Sequence, residues 1–372
     1  MAYRKRNLLP IGIHLGTEAV HMAQLDQAEA DVQMVSKASL YFPSNSADLQ
    51  APLSGDGQMD QMAQEAAEEN LELGLSFIQK RISDNGFSGK EAVISLPSRH
   101  LLIRHVRLSA MPPEELAPAL MSELRGKLPF DPQQAVVRHI VAGTVSENNE
   151  AKQDVIVLAA RRSVVEKYVA NIGRLGLQAI GVGAEPCAMC HPYGFAAAHA
   201  VASQEGPPSL MIVHLGTLAS HVAIMRGQDT TFVKEVFQGT WQLTQSLAQA
   251  GGIPLEKATA MRASWCSAPT PQNVEAAVEA YNGIRPALEH LAEEIESCLR
   301  YHASLSRGAR VDRVHFVGPD ARDRGLVRVL STCLAPPCEV GDPVGALVGR
   351  RDSDKAEPQL AVAVGLSLFS AE

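Results

Sequence analysis

What this chain lacks narrows it quickly. It has no surplus of basic residues: 33 Lys and Arg stand against 41 Asp and Glu, a formal net charge of −8. No stretch gathers a basic stripe either, which excludes nucleic acid as the main partner, because neutralising phosphates takes a local excess of Lys and Arg. Nor is there a long apolar run. "LAVAVGLSLF" near the C-terminus falls well short of the roughly 20 residues a spanning helix needs, so no direct membrane span is expected. The opening "MAYRKRNLLPIGIHLGTE" is basic but runs into Gly, His and Thr instead of a continuous apolar stretch. It is not read as a secretory signal, and the expected compartment is the cytoplasm. Two nucleotide fingerprints are also missing, the P-loop G-x-x-x-x-G-K-[ST] and G-x-G-x-x-G.

Cysteine is scarce, with 6 in 372 residues, which points to reduced thiols and not to a disulfide framework. One spacing, "CAMCH" (Cys187 to His191), matches the C-x-x-C-H pattern of covalent haem attachment. That chemistry goes with export, and "EPCAMCHPYGFAAAHA" reads equally as the opening of a helix with Cys as small core residues. The helix reading is preferred over haem, zinc or redox use. What is present is ordinary globular composition, 46% hydrophobic and 20% charged. The length exceeds a usual single domain and predicts two lobes, or a domain with an insertion.

Along the chain, Leu8 to Leu25 reads as two strands around "GTE", followed by a strand at "VQMVSKASLYF" and a loop from Ser44 to Gly57. Apolar residues at helical spacing from Gln58 to Arg81 predict a long helix, and "EAVISLP" a buried strand. A mixed α/β insert follows: strands "HLLIRHVRL", "AVVRHIVAG" and "DVIVLAA", helices "MPPEELAPALMSELRGKL" and "SVVEKYVANIGRLG", and the strand "LQAIGVG". After a linker, "SQEGPP", strands resume. Helices then dominate from Thr240 to Leu305, and strands at "DRVHFVG" and "CEVGDP" flank a helix from about Asp323 to Cys333.

The strongest signal is a repeat. "IGIHLGTEAVHMAQL" (11–25) and "MIVHLGTLASHVAIM" (211–225) align without gaps and agree at His, Leu, Gly, Thr, then at Ala19/Ala219, His21/His221 and Ala23/Ala223. A strand–turn–strand unit written twice, 200 residues apart, is what two related lobes would leave in a sequence.

Such paired hairpins resemble those of the actin and sugar-kinase superfamily, where they bracket the phosphates of ATP with backbone N–H and hydroxyl donors. The whole chain resembles the pilus-assembly branch of that superfamily, the PilM proteins, relatives of the cell-division protein FtsA. The resemblance is carried in order by the first hairpin, by "ISLPSRHLLIRHVRLSAMPPEELAPALMSELRGKLPFDP", by "DVIVLAARRSVVEKYVANIGRLGLQAIGVGAEP", by the second hairpin with its sequel, and by "LAEEIESCLRYH" and "VDRVHFVGPDARDRGL". It implies a two-lobed α/β, actin-like ATPase fold with an FtsA/PilM-type insert in the first lobe. The expected divisions are a first lobe over 1–95, the insert over 96–184, a return segment over 185–205, and a second lobe over 206–372 with a helical part at about 240–306. It also implies a partner, the cytoplasmic N-terminal tail of a PilN-like inner-membrane protein, received in a groove beside the insert. The protein would then sit in the cytoplasm, peripheral to the inner membrane, with self-association into a ring or platform as a further option.

By the same resemblance, Gly16, Thr17, Gly216, Thr217 and Gly318 occupy residual phosphate and adenosine motifs, while His14 and His214 stand where the family usually carries Asp. Those acids would organise Mg²⁺, a hard cation that wants oxygen ligands, and imidazole is a poor substitute. Pro319 follows Gly318 in "VGPDARDRG", where the family typically has a further Gly; its fixed φ and missing N–H weaken an adenosine contact. ATP remains the one cofactor such a fold would hold, no catalytic residue is assigned, and no metal ligand set is assigned. Glu185 and Asp320 fall where the family has polar cleft residues; Glu185 reads either as a group positioning a base or water, or as a helix-start carboxylate. His14 and His214 are expected to face each other across the cleft, with His21 and His221 as their cross-strand neighbours. The four imidazoles are either remnants of a disused ATP site or a transition-metal or anion site.

The leading expectation is a pseudo-ATPase adaptor of a type IV pilus, secretion or competence machine. The alternative is an active ATP-binding switch or filament protein using other acids, and a small-molecule kinase shares the fold class without a visible sugar signature.

Overall fold

β1 (Ile11–Leu15) is "IGIHL", buried at every position. A strand buried on both faces reads as a near-continuous apolar run, and His14 is the one polar exception in it. Its antiparallel neighbour β2 (Ala19–Ala28) sets His14 opposite His21, and β3 (Asp31–Tyr41) pairs on the far side of β2. The computed structural model describes residues 7–28, 31–42, 61–84, 86–147, 150–199, 207–306, 310–349 and 355–369. The loop expected at Ser44–Gly57 and most of the "SQEGPP" linker lie outside them.

Helix α1 (Gln61–Ser83) covers this sheet with Leu75 and Ile78 buried in the first-lobe core. β4 (Glu91–Ser95) then runs parallel to β1. The insert follows as a three-stranded antiparallel sheet of β5 (Leu102–Ser109), β6 (Ala135–Glu147) and β7 (Glu150–Arg161), in the order β5-β7-β6. α2 (Pro113–Glu123) lies on it, with proline at the helix start, where the missing N–H costs nothing. Leu116, Leu120, Leu124 and Leu128 at helical spacing pack on Val106, Val155 and Val157.

The stretch expected to form the insert, 96–184, divides. Its sheet and α2 form the insert, but α3 (Arg162–Arg174) buries Tyr168 and Ile172 in the first-lobe core, and β8 (Gln178–Gly183) pairs parallel with β4. The first sheet therefore reads β3-β2-β1-β4-β8.

After α4 (Glu185–Ala188) and α5 (His191–His199), the pattern repeats. β9 (Ser209–His214), β10 (Ser220–Arg226) and β11 (Asp229–Val236) form the second antiparallel trio. Four helices come next: α6 (Trp241–Gly251), α7 (Leu255–Ser267), α8 (Pro271–Gly283) and α9 (Arg285–Leu305). β12 (Arg313–Val317), α10 (Arg324–Ser331) and β13 (Cys338–Val340) complete a sheet of order β11-β10-β9-β12-β13, the same topology as the first. On α9, Leu288, Leu291, Ala292, Ile295, Cys298 and His302 line one face at helical spacing and join the second-lobe core.

The chain ends with α11 (Pro343–Leu347) and α12 (Ala361–Ser367). α12 was expected to close the second lobe, but it packs across the first sheet. Its residues are buried throughout, and a Cβ on Gly12 of β1 would meet Ala363 O at 2.0 Å. A bare backbone at position 12 is what lets the helix lie so close to the strand. Val362, Val364 and Leu366 together stabilise this crossing by several kcal/mol, at roughly 1.5–3 kcal/mol for each fully buried side chain. Among the described residues no helix is long and apolar enough to cross a membrane.

Candidate functional site

Both hairpins open on one cleft. In the first, Leu15 N–H donates to Ser95 Oγ at 3.1 Å and Gly16 N–H to Ala19 O at 3.0 Å, which ends β1 and closes the turn. The second ends with Leu215 N–H donating to Val317 O at 2.9 Å. Gly216 is required there because a Cβ would meet Ala219 O at 2.4 Å. Gly16, Thr17, Glu18, Gly216 and Thr217 line the cleft together with His14, His21, His214, His221 and Glu185. The structure thus brings together the residues singled out on both hairpins.

The four histidines take the expected places. His14 faces His21 within the first hairpin and His214 faces His221 within the second. Across the cleft the His14 and His214 rings lie 5.9 Å apart, edge to face. Between them sits Glu185, the first residue of α4 and 4% exposed. His14 Nε2–H donates to its Oε2 at 3.3 Å, and His221 Nδ1–H to its Oε1 at 3.0 Å. His214 Nδ1 stands 3.2 Å from the same Oε1. The helix-start position of Glu185 was legible; its role as the hub of three imidazoles was not.

Charge settles unevenly over this cluster. Burial alone would lift the Glu185 carboxyl, but the His214 and His221 rings, with hydrogen bonds from His14 and His221, hold it well below the usual carboxylate range. For His221, burial opposes the charged form and the Glu185 and Glu235 carboxylates override it, holding the ring up to about 10. Burial brings His214 down to about 4, and burial together with the neighbouring His14 brings His21 well below its ordinary value. Glu185 and His221 thus form a buried carboxylate–imidazolium pair set between the His14 and His214 rings. His21 Nδ1 shares a hydrogen bond of 2.8 Å with Ser39 Oγ.

A second network fills the space behind the hairpin turns, and here sequence reasoning saw only Asp320. Arg262 of α7, 6% exposed, donates from Nη2 to Asp320 Oδ1 at 3.0 Å and from Nε to Tyr281 OH at 3.0 Å. Its Nη1 donates to Thr244 Oγ1 at 2.9 Å and to Thr240 O at 3.1 Å. Thr240 Oγ1 also donates to Asp320, and Tyr281 OH donates to Asp323 Oδ2 at 2.6 Å. Thr217 N–H donates to the Glu18 carboxylate of the opposite hairpin. Burial and the nearby Asp320 push Glu18 up to about 7, against the pull of Thr217 and Arg262. Glu18 lies inside the quoted repeat, but its partner is 199 positions away, and no local spacing announces that contact.

Several donors around the second turn are engaged within the protein. Thr217 N–H is held by Glu18, and the N–H groups at the start of α6 donate elsewhere, Thr240 to Gly216 O at 3.0 Å and Trp241 to Thr217 O at 2.9 Å. Gly318, at φ +94°, gives its N–H to Pro358 O at 2.9 Å, and a Cβ there would lie 3.0 Å from the His214 ring. Its left-handed backbone and the close imidazole both call for glycine. With nitrogen donors at 14 and 214, the hairpin ends do not fit a magnesium ion, which takes oxygen ligands in near-octahedral geometry. The Cys187–His191 motif is structural: burial raises the Cys187 thiol to about 12 and Cys190 further, and His191 Nδ1 binds Gly365 O at 2.9 Å.

This two-lobed architecture is similar to that of the chain solved in the "PilM-PilN type IV pilus biogenesis complex", with a TM-score of 0.70 at 20% identity over 96% of this chain and 97% of that one. It is also similar to the ethanolamine utilization protein EutJ from Carboxydothermus hydrogenoformans, with a TM-score of 0.52 at 15% identity over 98% of this chain and 90% of that one. At such identities these likenesses show the fold, which is the actin-like arrangement with an inserted subdomain that the resemblance implied. The sequence profile of the family described as "Type IV pilus assembly protein PilM" matches residues 12–371, and the chain belongs to that family.

Proposed function

We propose that this protein is an adaptor of type IV pilus assembly that binds the N-terminal tail of a PilN-like inner-membrane protein and does so without turning over nucleotide. Family membership and the similar chain of the PilM–PilN complex support the partner. The observation that carries the nucleotide-independent part is the Glu18 carboxyl group on Thr217 N–H, an internal acceptor at a donor that a bound phosphate would require. On this reading Gly16, Thr17, Gly216, Thr217 and Gly318 persist because the turns and the His214 contact need them. The protein works in the cytoplasm and reaches the inner membrane through its partner.

From the hairpins the cleft extends past Phe42, Ala67 and Leu71 to Arg99 and Tyr168 at the root of the insert. This mostly apolar groove is where the tail is proposed to lie. The direct test is titration of a synthetic tail from a PilN-like protein encoded nearby into the full chain. Saturable binding that is unchanged by ATP and Mg²⁺ is expected; absence of binding removes the adaptor reading. A second reading, an ATP-dependent switch or filament, draws on the two intact Gly-Thr turns opening on one cleft. It requires tail binding or assembly to depend on nucleotide.

A further inference from the structure

The carboxylate and imidazoles at the cleft floor form a donor set with its own chemistry. Glu185, His214 and His221 each offer one donor atom, and these atoms all lie within 4.8 Å of one another. Two of those edges, 3.0 and 3.2 Å, approach the separation of about 3.3 Å between ligands on a tetrahedral zinc ion whose bonds are roughly 2.0–2.1 Å. A fourth donor is available from the other hairpin: His14 Nε2 lies outside this trio, 3.3 Å from the second carboxylate oxygen Glu185 Oε2, so it joins the ligand set only with a shift of its ring. His214 is only 5% exposed, yet its Nε2 has no hydrogen-bond partner and its Nδ1, 3.2 Å from Glu185 Oε1, sits out of hydrogen-bond alignment. Buried polar atoms are nearly always partnered, so a ring so poorly satisfied in such a cluster points to a ligand.

The surroundings suit a cation as well. Behind His221 the Glu235 carboxylate stands 3.7 Å from Nε2 and adds negative charge on the side away from the site; a bound cation would take the place of the proton that His221 Nδ1 now shares with Glu185, so metal binding releases that proton. His214 is steadied on its other side by Gly318. One carboxylate and three imidazoles make a nitrogen-rich set, which favours zinc-class transition metals and disfavours magnesium.

We propose that Glu185, His214, His221 and His14 form a binding site for a zinc-class divalent cation that ties the two hairpins together across the cleft. His14 comes from β1, His214 and His221 from β9 and β10, and Glu185 from the segment leading out of the first sheet, so a single ion would bridge both lobes. This inference does not depend on the adaptor reading: an ion at this position clips the lobes whether or not a partner tail or a nucleotide binds.

The test uses the full chain, free of any polyhistidine tag, stripped with chelator and titrated with Co²⁺ as the probe. Binding of one equivalent with the intense visible bands of four-coordinate cobalt, bleached by Zn²⁺, is the expected result. His214→Gln and His221→Gln should weaken binding by about 10–100-fold, while His290→Gln, at an exposed position outside the cluster, should leave it unchanged. Where a cluster variant fails to fold, His14→Gln replaces it, with far-ultraviolet circular dichroism reporting the fold. Less than about a tenth of an equivalent bound by the wild type, cobalt without four-coordinate bands, or equal binding by wild type and His214→Gln would overturn the proposal.

Discussion

The Glu18 carboxylate, on the turn of the first hairpin, accepts a hydrogen bond from the backbone N–H of Thr217 on the turn of the second. This one contact links the two copies of the repeat. It places an acidic oxygen at a backbone donor of the second turn, with the Asp320 carboxylate and the Arg262 guanidinium close enough to bias its protonation.

Glu18 therefore gives stability a pH dependence of known sign. Burial raises its folded value from the ordinary 4.5 to about 7, so the folded protein holds this proton more tightly than the unfolded chain. Its contribution is fully present below pH 4.5 and is lost as pH rises through 7. Urea unfolding of wild type and Glu18→Gln across that window should show wild-type stability falling relative to the variant. A constant difference between the two would contradict the environment described for Glu18.

Arg262 is expected to be among the costliest single positions in the second lobe. Its guanidinium serves Asp320, Tyr281, Thr244 and Thr240 at once. Arg262→Ala leaves Asp320 without its cation and should cost about 3–5 kcal/mol in denaturant unfolding. Arg262→Lys should recover little, because an ammonium lacks the planar fork that reaches four partners. Recovery of most of the stability by lysine would show that charge alone matters there.

Gly12→Ala tests the crossing of α12 onto the first sheet. With Ala363 O at 2.0 Å from the new Cβ and Ser367 N at 2.6 Å, helix and strand must separate. A loss of about 1–3 kcal/mol or more is expected, the range for overpacking a tight core. The same substitution at Gly173, whose added Cβ meets nothing within 4 Å, should be nearly neutral or mildly stabilising in its helix. Thermal unfolding of the two variants side by side separates the cases.

The groove prediction concerns the proposed partner. Ala67 of α1 lines the cleft on the way to the insert and is half-buried. Ala67→Arg keeps a good helix former and fills the groove with a long cation. It should weaken tail binding by about tenfold or more, ~1.4 kcal/mol, with little change in melting temperature. Unchanged affinity would move the tail to another surface.

The repeat of His-Leu-Gly-Thr was enough to predict two hairpins and two lobes, because each copy is local; that His14 and His214 face each other followed from the family resemblance. The insert was legible for the same reason: its leucines at 116, 120, 124 and 128 keep helical spacing. What stayed hidden depends on contacts between distant segments. Glu185 meets His14 across 171 positions and Arg262 meets Asp320 across 58, and neither residue sits in a recognisable spacing. The placement of α12 on the first sheet was missed on similar grounds, and α3 and β8 were divided to the insert although their stretch resembles the one by which the family returns to its first lobe. An apolar run such as "LAVAVGLSLF" states that it is buried, but not against which sheet.

The most direct measurement is calorimetric titration of the full chain with ATP, with and without Mg²⁺. A cleft whose second turn holds Glu18 at the Thr217 N–H, and whose hairpin ends carry His14 and His214, predicts no detectable binding in either condition. Micromolar binding strengthened by Mg²⁺ would contradict the account, since it would require the Glu18–Thr217 contact to open and oxygen ligands other than residues 14 and 214 to hold the ion.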